Sequence, residues 1–554
     1  NILGETVMKK ISIFVLSLFA LCSCNGFLDM TPTDRVSPQV LWSSTANAEY
    51  EINYLYSYIW DLNSAPTVLG LTESLTDEMK YTSYNYNSLC YIPSEASYGG
   101  NNLTAAYVDS YFGYWGTLYT AIRKCNESLA DLAKYGKMAD TDKPRLEAEI
   151  KFMRAFLYFE LVKRYKEVII YKDLNDIRKD APLGTEEQAW DLIQEDLKFA
   201  AENLPLPAQA NGRLNKGTAY GFTTRAMLYA KRYDAVITAA DAVKELGYAL
   251  EDNYSDAFKQ GSKEAILQYL FSQKDGVTHS FNFYYTPGGD YAIAGQNGGA
   301  YGVPTQEIVE SYELATGGFP NWTKWHGTST EIPPYALLEP RFQATILYNG
   351  SDWKGRKIEP FVGGTDGWAT WKTDKEPKGK TVTGYYLRKL VDESYDVATS
   401  GSSQPFTFLR YAEVLLNKAE ACALGPNKDE TMANTILRDI RGRVGLPYTN
   451  KFGTELMAAI RQERKVELAF EGLRYWDLRR WEIADKDYPT GLSNYQNHGL
   501  KIEDNGDGTF TYTYVAIDDK DRSFEKKMYR FPIPKSELDN NPSFNHTQPD
   551  PAWN

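Results

Sequence analysis

The sequence predicts a mainly α-helical protein in which tetratricopeptide-like helix pairs form a scaffold, interrupted by a large loop-rich insertion containing short strands. Three observations carry this reading. Apolar residues recur at helical spacing through most of residues 40–246. From about 247 to 405 that period fades, and Gly, Pro, Asn and Trp become frequent. The helical period then returns over 406–484, and a C-terminal hairpin and extended tail are expected over 500–554.

Taken in order, Trp42 to Leu62 reads as a first helix, and Leu103 to Tyr135 as one long helix or a pair. Arg145 to Tyr165 places Ile150, Met153, Leu157 and Leu161 on one face and Phe152, Phe156 and Phe159 on another. A helix apolar on two faces lies between neighbours. Thr185-Glu186-Glu187-Gln188 has the form of a capping box, ahead of a stripe of Trp190, Ile193, Leu197, Ala201 and Leu204 that Pro205 and Pro207 stop. Lys216 to Lys231 and Tyr233 to Leu246 form an antiparallel pair whose Ala and Tyr alternate as in interlocking helix repeats. Short β-like pieces are expected at Ala344 to Tyr348 and Thr383 to Leu390. Helices follow at Phe408 to Ala423, Thr431 to Arg443 and Glu455 to Ile483. Asn505-Gly506-Asp507-Gly508 reads as a hairpin turn beside an alternating strand, Phe510 to Val515. No linker divides residues 24–554, which read as a single domain.

The first residues set an expected address. After Met8, Lys9-Lys10 and the apolar run Ile11 to Leu21 have secretory signal form, so residues 1–23 are read as upstream sequence and signal peptide. The apolar run is too short for a bilayer-crossing helix, which needs roughly 20 residues. Leu21-Cys22-Ser23-Cys24 resembles the bacterial lipobox, which makes Cys24 the expected lipidation site. Several acyl chains there would anchor the chain to a membrane without spanning it.

Composition narrows the function classes. The formal charge of −13 argues against nucleic acid, whose binding rests on Lys and Arg neutralising phosphate. Cys90, Cys125 and Cys422 are too few and scattered for a disulfide framework or metal site, and buried free thiols are expected. The four histidines are solitary, no cofactor is expected, and no spacing locates a structural calcium. The Asp504 to Gly508 run lacks the ligand ladder of a calcium loop. Glu463, Glu467 and Glu471 recur every fourth residue, as paired carboxylates on one helical face would. Arg461, Arg464 and Arg474 are interleaved with them, so they read as structural ion pairs and the chain as no enzyme. A glycosidase would need two carboxyls flanking a bond.

Five segments in order, with the lipobox, resemble the SusD/RagB family over nearly the whole chain after Ser23. They are Cys24-Asn25-Gly26-Phe27-Leu28-Asp29; Glu147 to Leu161; Leu409 to Leu416 with Ala419-Glu420-Ala421; Glu463 through Glu471-Gly472 to Trp481; and Phe531-Pro532-Ile533-Pro534. The end departs from the family's usual closing motif, with Gln548-Pro549-Asp550-Pro551-Ala552-Trp553 in its place. The resemblance implies a cell-surface, outer-membrane lipoprotein. Its helix pairs would pack against a SusC-like, TonB-dependent transporter while its loop-rich part captures an oligosaccharide or polysaccharide.

Sugar rings present C–H faces and hydroxyls, so flat aromatics mixed with amides mark candidate contacts. Tyr81, Tyr84, Asn85 and Tyr86 offer such a mixture, with Tyr84 and Tyr86 on one face of an extended chain. Tyr291 and Asn297 lie in a glycine-rich loop. Trp322 and Trp325 sit in a polar loop bounded by Gly318 and Gly327, where exposed rings are costly without a purpose. Trp368 and Trp371 are a fourth, weaker pair. The alternative for each is packing of its loop on the scaffold. The alternative ligand is a peptide, for which deep apolar pockets or a free strand edge would be the sign.

Overall fold

The computed structural model describes residues 37–63, 70–82, 98–100, 103–207, 212–370, 379–398 and 401–554. The N-terminal scaffold contains α1 (Thr45–Asn63), α2 (Trp115–Tyr135), α3 (Lys143–Tyr165), α4 (Glu186–Asn203), α5 (Lys216–Tyr229) and α6 (Tyr233–Glu245). The loop-rich part holds two short helices, α7 (Phe281–Tyr285) and α8 (Gly288–Ile293). α9 (Tyr411–Leu424), α10 (Glu430–Arg443), α11 (Gly453–Glu467) and α12 (Arg474–Arg480) complete the helical set used below. The mainly α-helical class is therefore the observed one, with small sheets between the helices.

Local chemistry sets the helix ends. Tyr114 has φ 63°, so the helical stretch before it, Ala105–Val108 running into Asp109–Gly113, ends there and α2 starts afresh at Trp115. At α4 the capping box forms: Thr185 Oγ1 accepts from Gln188 N at 3.2 Å, and Gln188 Oε1 accepts from Thr185 N at 2.9 Å. Asn215 and Thr218 cap α5 the same way. The α5–α6 turn is tight, with Lys231 at φ 57°.

α3 is the centre of the first core. Ile150, Met153 and Leu157 on one face and Phe152 and Phe156 on the other are all fully buried. Phe152, Phe156 and Phe159 each meet Phe222 of α5 with ring centroids 5.3 to 5.8 Å apart. Arg154 clamps Asp196 of α4 with two bonds of 2.7 and 2.8 Å and donates to Asn126 of α2 at 2.8 Å, joining three helices.

Strands connect this scaffold to the rest. They are β1 (Met79–Tyr81), β2 (Ala265–Tyr269), β3 (Gly302–Pro304), β4 (Thr328–Ser329), β5 (Phe406–Arg410), β6 (His498–Asp504) and β7 (Phe510–Ala516). β2 pairs antiparallel with β5, so Phe408, expected at a helix start, lies in a strand; alternating burial over Phe406 to Leu409 explains the difference. β6 and β7 form the expected hairpin, and β4 adds to β7. The single helix expected over Glu455 to Ile483 is two, because Phe470 (φ 61°) and Gly472 (φ 76°) adopt left-handed conformations between α11 and α12.

A second core fills the loop-rich part, where Tyr312, Phe342, Trp353, Tyr385 and Tyr386 are buried among aliphatic residues. The C-terminal tail is pinned down. Gln548 Oε1 accepts from Ile533 N at 2.9 Å, its Nε2 donates to Ile533 O at 2.8 Å, and Trp553 Nε1 donates to Arg530 O at 2.8 Å. No helix among the described residues is long and apolar enough to cross a membrane.

Candidate functional site

Phe281-Asn282-Phe283-Tyr284-Tyr285 is one turn and a half of helix. Phe281 and Tyr285, four residues apart, share the buried face, so Phe283 and Tyr284 turn outward and are half-buried. Tyr301, also half-buried, meets Tyr284 edge-on at 4.9 Å and Phe283 at 6.0 Å. Phe283 in turn meets Tyr284 at 5.2 Å and Tyr291 at 5.7 Å. These rings form an aromatic platform at the surface.

Close backbone approach builds the platform. A Cβ at Gly288 would lie 1.7 Å from Gly379 O, so only glycine lets α8 reach the 379 segment. β1 pairs with β3 in register Met79–Pro304 to Tyr81–Gly302, and Thr82 donates to Ala300 O at 2.5 Å and Tyr301 O at 3.0 Å. α8 is locked from beneath. Asp290 accepts from Trp353 Nε1 at 3.0 Å and Arg356 Nη2 at 2.7 Å, while Arg356 also binds Asp366 at 2.7 and 2.8 Å. Asp366 accepts from Gly289 N at 3.1 Å. Above this base, residues 292–297 are exposed and end in Gln296 and Asn297, beside the rings.

The candidate residues fall in different places. Asn297 is exposed next to the platform, and Tyr291 is its buried backing ring, 2% exposed. Tyr81 corrects the expectation of an accessible ring: as part of β1 it is 2% exposed. Trp322 and Trp325 also differ, being only 5% and 8% exposed. Their rings meet at 5.7 Å inside the second core, and Trp325 Nε1 donates to Glu331 O at 2.9 Å. The exposure that suggested a stacking role is absent there, because the loop folds onto the β6–β7 hairpin through β4. Trp368 is half-buried, and Tyr84, Asn85, Tyr86, Trp371, Cys24 and Cys90 lie outside the described residues. Phe283, Tyr284 and Tyr301, which the amide-rich segments did not single out, carry the platform. Their signal in the sequence is four aromatics in five residues at 281–285, with Phe281 and Tyr285 spaced to face inward.

The three glutamates are ion-paired, but not to their sequence neighbours. Glu467 accepts from Arg341 at 2.9 Å, from Arg410 at 2.8 Å and from Arg443. Glu463 binds Arg341 and Arg441, and Glu471, beyond the end of α11, binds Arg410 and Lys389. Arg464 and Arg474 pair instead with Asp477 and Asp77. Burial pushes the Glu467 carboxyl up, but Arg443, Arg410 and Arg341 outweigh it and hold it well below the usual carboxylate range. This is a structural network spanning the junction of the two cores, in which each of the three carboxylates meets at least two cations. Cys125 and Cys422 are free and buried, and burial pushes their thiols up to about 12 and about 11. Among the described residues, no group of three or more His, Cys, Asp or Glu is arranged to hold a metal ion.

Comparison with known proteins places this architecture. The profile of the SusD family matches residues 263–553, and one described as starch-binding associating with outer membrane matches residues 27–228. A SusD-like protein of Bacteroides ovatus is 24% identical over 502 residues, which covers 87% of this chain and 83% of that protein. SusD-like protein P2 of Formosa agariphila is 24% identical over 524 residues, with 88% and 94% covered. A SusD-like protein from Bacteroides fragilis superposes with a TM-score of 0.77 at 26% identity, covering 94% of this chain and 99% of the other. A laminarin-binding SusD-like protein superposes with a TM-score of 0.60 at 21% identity, covering 90% and 98%. With its helical scaffold, its loop-rich second core and a profile match over more than half its length, the chain belongs to the SusD/RagB family.

Proposed function

We propose that this protein is a cell-surface lipoprotein, anchored in the outer membrane through acylated Cys24, that captures oligosaccharides and delivers them to a SusC-like, TonB-dependent transporter. Family membership supports the role, as does the outer-membrane description of the profile matching residues 27–228. The single observation that carries the ligand class is the half-exposed platform of Phe283, Tyr284 and Tyr301 beside the exposed amides of Gln296 and Asn297. Aromatic plates take the C–H face of a sugar ring, and amides take its hydroxyls. Tyr291 backs the rings, and Asn297 is the polar contact assigned here. Trp322 and Trp325 hold the neighbouring loop in shape, so their effect on binding is indirect.

Calorimetry against laminarin, starch and mixed-linkage oligosaccharides, with a peptide pool in parallel, tests this reading. Tyr284→Ala and Tyr301→Ala are each expected to weaken the bound glycan by about tenfold, the scale of one lost stacking contact. Unchanged affinity in the double variant would remove the platform from the site. Binding of peptides with silence on every glycan would overturn the sugar assignment.

A further inference from the structure

Every residue from Glu73 to Thr82 is buried, and the segment passes from the first core at Leu75 into the second at Met79. Three of its carboxyls, Glu73, Asp77 and Glu78, are at most 2% exposed. Asp77 is neutralised: Lys465 of α11 donates to it at 2.7 Å, and Arg474 of α12 donates to both its oxygens. Burial pushes the Asp77 carboxyl up, but Arg474 and Lys465 outweigh it and hold it below the usual carboxylate range.

Glu73 and Glu78 form no ion pair among the described residues, and both neighbouring cations bond to Asp77. Glu73 accepts from the Thr72 hydroxyl at 3.1 Å and from the Gly472 backbone, between α11 and α12. Glu78 Oε1 is buried without a hydrogen bond. The charged and titratable groups around Glu78 are Glu73, Asp77, Lys465, Arg474 and the buried Tyr312 phenol. Burial pushes Glu73 up to about 7, and burial followed by the charge of Glu73 pushes Glu78 well above its usual range.

The same segment supports the aromatic platform. Thr305 donates from Oγ1 to Asp77 O at 2.5 Å and from N to Glu78 O at 3.1 Å. Beyond them β1 pairs with β3, and Thr82 holds the carbonyls of Ala300 and Tyr301. On the scaffold side Arg522 donates to Ser74 O and Thr76 O at 3.0 and 3.1 Å. The carboxyls and the hydrogen bonds that place Tyr301 therefore share one short, buried piece of backbone.

We propose that Glu73 and Glu78 form a proton-operated switch beneath the platform: protonated, they let the segment stay buried and hold Tyr301 in place, and ionised, they strain its pairing with β3 and weaken ligand capture. A carboxylate buried without a counter-charge is strongly unfavourable, and moving the segment toward water relieves it. Acid favours the competent form and base the strained one. The switch acts on the glycan site proposed above and rests on that reading.

Calorimetry of the purified full chain with laminarin and with starch oligosaccharides, at pH 6 and pH 8, tests it. Affinity is expected to be about tenfold weaker at pH 8, because the competent fraction set by a group titrating near 7 falls to about a tenth. The double variant Glu73→Gln/Glu78→Gln is expected to bind equally at both values. Constant affinity in wild type, or the same loss in the double variant, overturns the proposal. Hydrogen exchange at residues 79–82 and 302–303, corrected for the intrinsic effect of pH, reads the switch without ligand. Faster opening at pH 8 in wild type alone is expected, and equal opening in both proteins counts against it. If neither glycan binds, the capture reading fails for those ligands and hydrogen exchange by itself decides the switch. Should the double variant not fold, Glu73→Gln takes its place in both measurements.

Discussion

Glu467→Gln isolates the charge at the centre of the network joining the two cores. The Glu467 side chain is 0% exposed, and it faces Arg341, Arg410 and Arg443, themselves 0%, 1% and 3% exposed. Glutamine keeps the shape and one acceptor oxygen but removes the charge that three guanidiniums share. Each arginine retains another carboxylate: Arg341 has Glu339 and Glu463, Arg410 has Glu264 and Glu471, and Arg443 has Glu264. Breaking a buried pair by removing one partner costs about 3–5 kcal/mol. With an unfolding entropy of roughly 2.1 cal/mol/K per residue over about 500 residues, that lowers the melting temperature by about 3–5 °C. Differential scanning calorimetry is the assay, with Glu187→Gln as the control, since that exposed partner of Arg232 is expected to change stability by less than about 1 kcal/mol. The pH dependence has a defined sign. The folded carboxyl titrates well below its unfolded value, so its stabilisation is present above about pH 4 and lost as pH falls further. The gap between wild type and Glu467→Gln is therefore constant from pH 7 to 5 and closes only in acid. A Glu467→Gln protein melting within about 1 °C of wild type would refute the structural reading of this cluster.

Thr185→Ala removes the acceptor that caps α4 and is expected to cost about 1 kcal/mol, read as roughly fivefold faster hydrogen exchange in that helix's first turn. Glu73 titrates in the opposite sense to Glu467: burial pushes its carboxyl up to about 7, outweighing the hydrogen bonds it accepts. The folded chain thus holds a proton that the unfolded chain has released, so stability falls as pH rises from about 4.5 to 7, by up to about 3 kcal/mol. Glu73→Gln should flatten that slope in chemical denaturation measured across the window; an identical slope in both proteins would show that Glu73 is not its source.

Much of the scaffold is legible in the sequence because its determinants are local. The two apolar faces of α3, the Thr185–Gln188 box and the Asn505–Gly508 turn each depend on residues a few positions apart, and each appears where the pattern places it. Local patterns mislead where long-range pairing competes. Phe406 to Arg410 joins β2 across some 140 residues of chain, and left-handed backbone at Phe470 divides what reads as one helix. Composition also marks off the loop-rich region, but not which of its rings are accessible. Trp322 and Trp325 are polar-flanked in sequence, yet only the docking of their loop through β4 decides that they are buried. Likewise Glu463, Glu467 and Glu471 announce ion pairing through their spacing, while their partners at 341, 389, 410, 441 and 443 come from elements that only the tertiary fold brings together. Periodicity, caps and turns are short-range and are written in the chain. Exposure and charge pairing are properties of the assembled surface, and here packing between distant segments decided both.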